Sequence, residues 1–251
     1  MSGHSKWSTI KRAKGAADAR RGQLFTKLTR EIIVASRRGG ADLELNAHLR
    51  LSVQRARENN MPWDNIQRAI KKGSGGDSGQ DQMDEVIYEG YGPGGAAILL
   101  RVLTDNRNRT VAEIRNTFTR GGGSMASAGA VSWMFEQKGV IVLRVPPEQV
   151  EEVALHAIDA GAEEFKQEDG LLEIYTAPGN FEQVRRTFEK GGVQTESAEF
   201  SLVPKSTVPL DTKAAESTLR LLDRLEELDD VQKVFTNADF PDEALERYSQ
   251  E

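Results

Sequence analysis

The chain of 251 residues contains no cysteine. This absence excludes disulfide bonds, thiol nucleophiles and thiolate metal sites. Histidine is scarce as well: only His4, His48 and His156 occur, and no two lie three or four residues apart, as metal ligands on one helix would. The sequence therefore predicts neither a metal site nor a cofactor.

Long hydrophobic runs are also missing. No stretch approaches the roughly 18 consecutive apolar residues that span a membrane. The first residues, MSGHSKWSTIKRAKG, lack the apolar segment of a secretory signal. Because 38% of the residues are hydrophobic and 29% are charged, the composition is that of a folded globular protein. We expect a cytoplasmic protein with no membrane partner.

Motifs of catalysis are absent too. The sequence has no GxSxG elbow and no HExxH helix. The glycine cluster at 90–95 joins two predicted strands and lacks the GK[ST] ending of a phosphate loop, so it predicts a tight hairpin in which glycines supply positive φ. The sequence therefore predicts no catalytic residues, no small-molecule substrate and no enzyme. An enzyme acting between two α/β domains stays open as a hypothesis from another class.

The net charge of −6 is unevenly distributed along the chain. Residues 1–72 hold sixteen Lys and Arg against six Asp and Glu, a net charge of +10. The remainder holds seventeen against thirty-three, a net charge of −16. Such asymmetry indicates a nucleic-acid or other anionic partner. The alternative interpretation is a solvated helical face without a binding role.

Residues 1–78 are predicted to form a basic helical domain. Apolar residues recur every three or four positions in three segments. They are Leu24, Leu28, Ile32 and Ala35, then Leu45, Leu49, Val53 and Ala56, then Ile66, Ala69 and Ile70 after Pro62. A helical bundle follows. The stretch GSGGDSGQ at 73–80 predicts a flexible linker and a domain boundary.

The rest of the chain changes to a mixed pattern of strands and helices. Residues 139–203 predict the order βαββαβ of a ferredoxin-like unit. The predicted strands and helices outside it occupy 85–89, 96–104, 110–119, 131–135, 212–228 and 231–236. We therefore predict an α+β fold in which a discontinuous α/β domain, 79–137 plus 206–240, carries an inserted ferredoxin-like domain, 138–205. A frayed tail at 241–251 completes the chain.

Two sets of residues are candidates for binding nucleic acid. The first is the amino-terminal set of cations with one indole, which consists of Lys6, Trp7, Lys11, Arg12, Lys14, Arg20, Arg21, Lys27 and Arg30. Cations of this kind neutralise phosphates and release counterions. The Trp7 ring either stacks on a base or packs against the bundle, and the sequence leaves both possibilities open.

The second set lies in TDNRNRT at 104–110, where a predicted strand ends and a helix begins. Asn108 is predicted to cap that helix. Arg107 and Arg109 would then stand at the surface, either to bind nucleic acid or to form surface pairs with Asp105. Both interpretations fit the sequence.

Four segments resemble the YebC/PmpR family. They are MSGHSKWSTIKRAKGAADARRGQLFTKLTREI, NMPWDNIQRAIKKG, YEGYGPGGAAILLRVLTDNRNRT and GVIVLRV. The resemblance runs from residue 1 to about residue 240 with the motifs in the family's order. The stretch SGQDQMDEV departs from the pattern at a place where the family varies in length.

The resemblance implies a helical amino-terminal domain and two α/β domains, one inserted in the other. It also implies a cytoplasmic DNA-binding transcriptional regulator. Other members resemble ribosome-associated translation factors that assist synthesis through difficult stretches such as consecutive prolines. The family brings no catalytic residues to this sequence.

The choice between DNA and ribosomal RNA stays open at this point. No helix-turn-helix with an evident base-reading set is apparent in the sequence. Scattered cations, a flexible arm with Trp7 and further arginines at 107 and 109 suit an irregular folded RNA at least as well as duplex DNA. The predicted partner is therefore DNA, ribosomal RNA or both. Attachment to the ribosome is part of the ribosomal RNA alternative.

Overall fold

The computed structural model describes residues 18–75, 83–168 and 170–250. The chain divides into two compact units. The first contains the chain up to Met134 together with the segment from Ser206 onwards, and the second runs from Phe135 to Lys205.

Three helices open the first unit: α1 (Asp18–Gly39), α2 (Ala47–Glu58) and α3 (Trp63–Ser74). Both α2 and α3 contact α1. Their shared core includes the predicted residues Leu28, Ile32, Leu49, Val53 and Ile66. The prediction that Leu45 belongs to this core is wrong. Its side chain is 85% exposed, because α2 begins only at Ala47, where the side chain of Asn46 accepts a hydrogen bond from the Leu49 amide at 3.0 Å.

Helix α3 continues into the segment predicted to be a linker. Gly73 lies against α1, where a Cβ atom would collide with the carbonyl oxygen of Ile33 and lie 2.7 Å from the Cβ of Ser36. The start of the predicted linker is therefore wrong, since Gly73 permits close helix packing instead of flexibility. Most of the predicted linker, from residue 76 onwards, lies outside the described residues.

The chain continues with β1 (Asp84–Tyr91), β2 (Ala97–Thr104), α4 (Arg107–Arg120) and β3 (Ser124–Ala126). Strands β1 and β2 pair antiparallel, and Gly94 and Gly95 between them have φ values of 76° and 81°. The predicted hairpin is therefore confirmed. Asn106 caps α4 by accepting a hydrogen bond from the Arg109 amide at 3.1 Å. The predicted cap at Asn108 is wrong, because the helix begins one position before it.

The second unit consists of β4 (Phe135–Arg144), α5 (Val150–Asp159), β5 (Ala162–Glu168), β6 (Leu171–Thr176), α6 (Phe181–Gly191) and β7 (Thr195–Pro204). The strands are all antiparallel in the order β5-β6-β4-β7, the topology of the predicted ferredoxin-like unit. The element predicted at 131–135, just before this unit, is wrong as a separate strand. Residues Ser132–Met134 form a short 3-10 turn before β4 instead.

The chain returns to the first unit with β8 (Val208–Pro209), α7 (Thr212–Glu226), β9 (Val231–Thr236), β10 (Ala238–Asp239) and α8 (Asp242–Gln250). The order β3-β1-β2-β9 forms one antiparallel sheet. The core of the sheet includes Ile98, Phe118 and Leu222. The segment predicted to be a frayed tail forms α8, because Leu245 and Tyr248 are buried in the same core.

In the described residues, a helical amino-terminal region is followed by two four-stranded antiparallel sheets, one of them formed by the inserted segment, and by a short parallel pair of β8 with β10. The predicted α+β fold class is confirmed. The boundaries of the three domains stay a prediction. Among the described residues, no helix is long and apolar enough to cross a membrane.

Candidate nucleic-acid interface

The amino-terminal candidates fall into two groups in the structure. Lys6, Trp7, Lys11, Arg12 and Lys14 lie outside the described residues. Arg20 and Arg21 belong to α1, near its described start. Lys27 and Arg30 lie further along α1, and the structure shows what their side chains contact.

Lys27, Arg30 and Arg109 all contact the last residue of α7 or the segment that follows it. The Nζ of Lys27 donates to the carbonyl oxygen of Glu226 at 2.5 Å, and Arg30 donates to the carbonyl oxygen of Asp229. Arg30 also pairs with Asp230 at 2.9 Å. Arg109 pairs with Asp230 at 2.8 Å and with Asp105 at 2.9 Å. The structure thus brings three predicted cations together around an acidic segment of the same unit.

Asp230 is the centre of this cluster. It lies between the end of α7 and the start of β9, and its side chain is 4% exposed. Besides the two arginines, Thr104 at the end of β2 donates to its Oδ2 at 3.1 Å, and Thr110 in α4 does so at 2.5 Å. Burial alone would raise the pKa of Asp230, but the hydrogen bonds from Thr110 and Arg109 and the charges of Arg30 and Arg109 outweigh it and lower this pKa. Asp230 is thus a buried, ionised partner for both arginines.

A polar cleft of about 450 Å³ opens beside Asp230. Its lining consists of Gln23, Arg30, Asp105, Arg109, Glu113, Glu227, Leu228, Asp229 and Asp230. Five acidic side chains in this lining outnumber the two arginines. A phosphate group entering the cleft would therefore meet net negative charge. In the described structure, Arg30 and Arg109 pair with Asp230 of the same unit. Their charges therefore stabilise the fold more directly than they bind an anionic ligand.

Further basic residues of the helical region are paired in the same way. Glu31 of α1 binds Arg55 of α2 at 3.0 Å and Arg101 of β2 at 2.9 Å. Arg38, at the end of α1, pairs with Glu85 of β1 at 2.6 Å. Much of the positive charge of α1 and α2 is therefore offset within the unit.

Arg107 stands apart from this cluster. Its side chain is 62% exposed and its Nε lies 2.7 Å from Asp84 of β1. Arg109 pairs with Asp105 as well as with Asp230. The surface pairing that the sequence left open for this loop is therefore present, although the Arg107 pair is exposed and weakly held in water.

A second buried carboxylate, Glu89 of β1, is 4% exposed. It accepts hydrogen bonds from the backbone amides of Gly129, Val131 and Ser132 at 2.7, 2.6 and 2.9 Å. Burial alone would raise the pKa of Glu89, and these hydrogen bonds lower it instead. The carboxylate fixes the loop before β4, so its hydrogen-bonding capacity serves the fold.

Over residues 18–75, 83–168 and 170–250, no group of three or more His, Asp or Glu side chains is placed to hold a metal ion.

Comparison with known proteins identifies the family. A model described as the TACO1/YebC protein N-terminal domain matches residues 5–76, and one described as the TACO1/YebC second and third domain matches residues 83–238. The chain belongs to the TACO1/YebC family. The resemblance stated from the four sequence segments is therefore confirmed.

Several TACO1/YebC relatives match over nearly their whole length, each named "Probable transcriptional regulatory protein". One from Dehalococcoides mccartyi strain BAV1 is 56% identical over 99% of this chain and 98% of its own. One from Pelotomaculum thermopropionicum is 52% identical over 96% and 100%. The crystal structure of a conserved hypothetical protein from Aquifex aeolicus is also similar. It is 46% identical, with a TM-score of 0.82 over 89% of this chain and 92% of that one.

Asp230 was missed by reasoning from the sequence of this TACO1/YebC protein. The available signal was the acidic run EELDD at 226–230, which ends a helix directly before a strand. A run of this kind, in a chain whose other end is strongly basic, indicates an internal partner for cations. The pairing itself depends on the close approach of α1, α4 and the end of α7, which lie far apart along the chain.

Proposed function

We propose that this protein is a DNA-binding regulator of gene expression that works by binding and not by catalysis. The observation that carries the proposal is the net charge of +10 on residues 1–72 of an otherwise acidic chain. Its relatives carry the name of probable transcriptional regulatory proteins, which supports a nucleic-acid partner. We expect the cytoplasm to be its place of action.

The proposed contact consists of the amino-terminal candidates before residue 22. They are Lys6, Trp7, Lys11, Arg12, Lys14, Arg20 and Arg21. Cations displace condensed counterions from phosphates, and this gain in entropy drives much of protein–DNA binding. Lys27, Arg30 and Arg109 receive a supporting role in the proposal, because their partners are carboxylate or carbonyl oxygens of the same unit.

Charge reversal tests the proposal. Lys11→Glu, Arg12→Glu and Lys14→Glu together should weaken binding to a labelled duplex by at least about a hundredfold at ~150 mM salt, since several phosphate contacts are lost. Fluorescence anisotropy measures the affinity. The matched control reverses Arg120, Lys190 and Lys213, three exposed helical cations outside residues 1–72, and should change affinity about twofold at most.

Competition decides the kind of nucleic acid. Wild-type protein bound to a labelled promoter fragment is challenged with random duplex DNA and, separately, with ribosomes. Resistance to random DNA and to ribosomes would support the proposal. Preferential transfer to ribosomes would instead identify a translation factor bound to ribosomal RNA. Equal affinity of the triple variant and the wild type would refute the assignment of the amino-terminal cations.

A further inference from the structure

Helices α2 and α3 are joined by a short, firmly held turn, residues 59–62. Asn60 takes a left-handed backbone conformation with φ 59°, and Met61 inserts into the helical core at 5% exposure. The Met61 amide donates to the carbonyl oxygen of Ala56 at 2.9 Å. Pro62 precedes the first residue of α3 with φ −56°, a value already suited to the start of a helix. The amino-terminal end of α3 is therefore held in place by packing and by backbone hydrogen bonds.

One face of α3 is buried and the opposite face is free. Ile66 and Ala69 are buried and Gly73 lies directly against α1. The opposite side of the helix carries Asp64, Gln67, Arg68 and Lys71, which are all exposed. Their spacing of i, i+3, i+4 and i+7 places these four side chains on one surface. We call this surface, formed by Asp64, Gln67, Arg68 and Lys71, the outer face of α3.

The cations of the outer face are not offset by carboxylates as those of α1 are. Across the part of the chain that the structure describes, the side chains of Gln67 and Lys71 have no hydrogen-bond or ion-pair partner. Arg68 donates only within its own helix, to the carbonyl oxygen of Asp64 at 3.3 Å and to the side chain of Asn65. Asp64 is the one acidic group among the four residues. The outer face therefore keeps donors and positive charge available to a partner.

Arg57 extends this charge to the beginning of α3. Its guanidinium lies 4.6 Å from the centre of the Trp63 ring, a cation–π contact that holds it in place without neutralising it. Trp63 itself is 40% exposed. In residues 47–75, six Lys and Arg stand against two acidic residues, so the surface around α3 is positively charged.

The chemistry of the outer face matches duplex DNA. The major groove of B-form DNA, about 12 Å wide, admits an α-helix, and Gln and Arg side chains there bind adenine and guanine edges with two hydrogen bonds each. A carboxylate such as Asp64 accepts from the amino group of cytosine. The major groove of A-form RNA is too deep and narrow for side chains to read. The outer face therefore fits DNA better than double-stranded RNA.

We propose that the outer face of α3 lies in the major groove of duplex DNA. Gln67 and Arg68 contact base edges and Lys71 contacts a phosphate. Arg57 contacts another phosphate beside the amino-terminal end of α3. The proposal rests on DNA binding as the function of the protein and adds a second surface to the amino-terminal cations. The sequence alone showed no evident base-reading set. The structure supplies one, because it shows which side of α3 faces outwards.

The test uses the full-length protein and two duplexes. One is the tightest sequence that the wild type selects from a library of random duplexes, and the other is its scrambled version. Gln67→Ala should reduce the preference for the selected duplex by about tenfold while leaving the affinity for the scrambled duplex unchanged. Lys71→Ala should weaken both duplexes alike and lower the slope of log affinity against log salt by about one.

Lys213→Ala is the matched control, since it removes one exposed helical lysine side chain of α7 that has no partner within the described ranges. It should change neither preference nor salt slope. Circular dichroism should be the same for all three variants, because the substituted side chains are exposed.

The outcomes separate this inference from the proposed function. If Gln67→Ala and Lys71→Ala bind both duplexes like the wild type while reversal of Lys11, Arg12 and Lys14 abolishes binding, the protein binds DNA but not through α3. If the wild type selects no duplex, both proposals fail. Effects of the α3 variants that appear on ribosomes and not on DNA would also overturn the inference, since they would place RNA on this face.

Discussion

At the scale of single residues, Asp230 shows how a buried charge can organise a fold. Two arginines and two threonine hydroxyls contact its carboxylate, so its burial is compensated by ionic and hydrogen-bond partners. Removing one partner from such a cluster lowers the free energy of unfolding by more than the whole cluster contributes to it. The reason is that the remaining charges stay buried without a partner of opposite charge. Asp230 is therefore a sensitive position for the free energy of unfolding.

Asp230→Asn should lower the free energy of unfolding at pH 7 by about 2–4 kcal/mol, since Arg30 and Arg109 lose their common carboxylate. The folded-state pKa of Asp230 is lowered. Its stabilising contribution is therefore present above the usual carboxylate pKa of about 3.9 and is lost as the pH falls through the lowered value. The difference between wild type and variant should shrink in acid.

Urea unfolding at pH 7 and at about pH 3 measures this difference. Asp229→Asn serves as the control, because that neighbouring carboxylate is exposed, and it should change stability by less than about 0.5 kcal/mol. A difference for Asp230→Asn that stays constant over the pH range would contradict the role assigned to its charge.

At the scale of elements, the packing of α3 on α1 depends on a glycine near the end of α3. Gly73→Ala should lower the free energy of unfolding by about 1–2 kcal/mol. Overpacking against Ile33 and Ser36 costs about 1–3 kcal/mol, and this outweighs the roughly 0.5–1 kcal/mol that alanine gains over glycine within a helix. Urea unfolding followed by circular dichroism measures the change.

Gly22→Ala in α1 is the matched experiment. A Cβ atom at Gly22 meets no atom within 4 Å, so only the helix propensity changes. This variant should be more stable than the wild type by about 0.5–1 kcal/mol. If both substitutions stabilise the protein, the close contact of α3 with α1 is wrong.

The elements themselves were largely predictable from periodicity. The apolar stripes of α1 and α7 and the strand β9 follow from patterns along a few turns or residues. The misjudged ends have local causes. Asn46 and Asn106 cap their helices by accepting hydrogen bonds from the amides three residues ahead. The sequence was equally compatible with the two wrong predictions, which were Leu45 in the core and Asn108 as the cap.

At the scale of the whole molecule, the inserted unit begins and ends at neighbouring points. Phe135 of β4 is paired with Pro204 of β7, and paired residues of antiparallel strands have Cα atoms about 5 Å apart. Replacing residues 135–205 by a short Gly/Ser linker should therefore leave the remaining unit folded. Its DNA affinity should stay within about threefold of the wild type, because every proposed contact lies in the other unit.

Circular dichroism and a cooperative urea transition test the folding of this shortened protein, and anisotropy tests its affinity. The inserted segment, expressed alone, should also unfold cooperatively. Aggregation of the shortened protein, or loss of binding without loss of fold, would show that the two units depend on each other and would contradict the predicted division into domains.

The sequence by itself determined the fold class, the ferredoxin-like order of the insertion and the concentration of positive charge in residues 1–72, because these follow from local periodicity and from composition. Only the tertiary structure decided which of those charges are offset. Lys27 and Arg30 meet the acidic segment that ends at Asp230, roughly 200 residues away along the chain, whereas Lys71 faces outwards. Charge pairing depends on distances of a few ångströms, and such distances between remote residues are set by packing and not by sequence spacing.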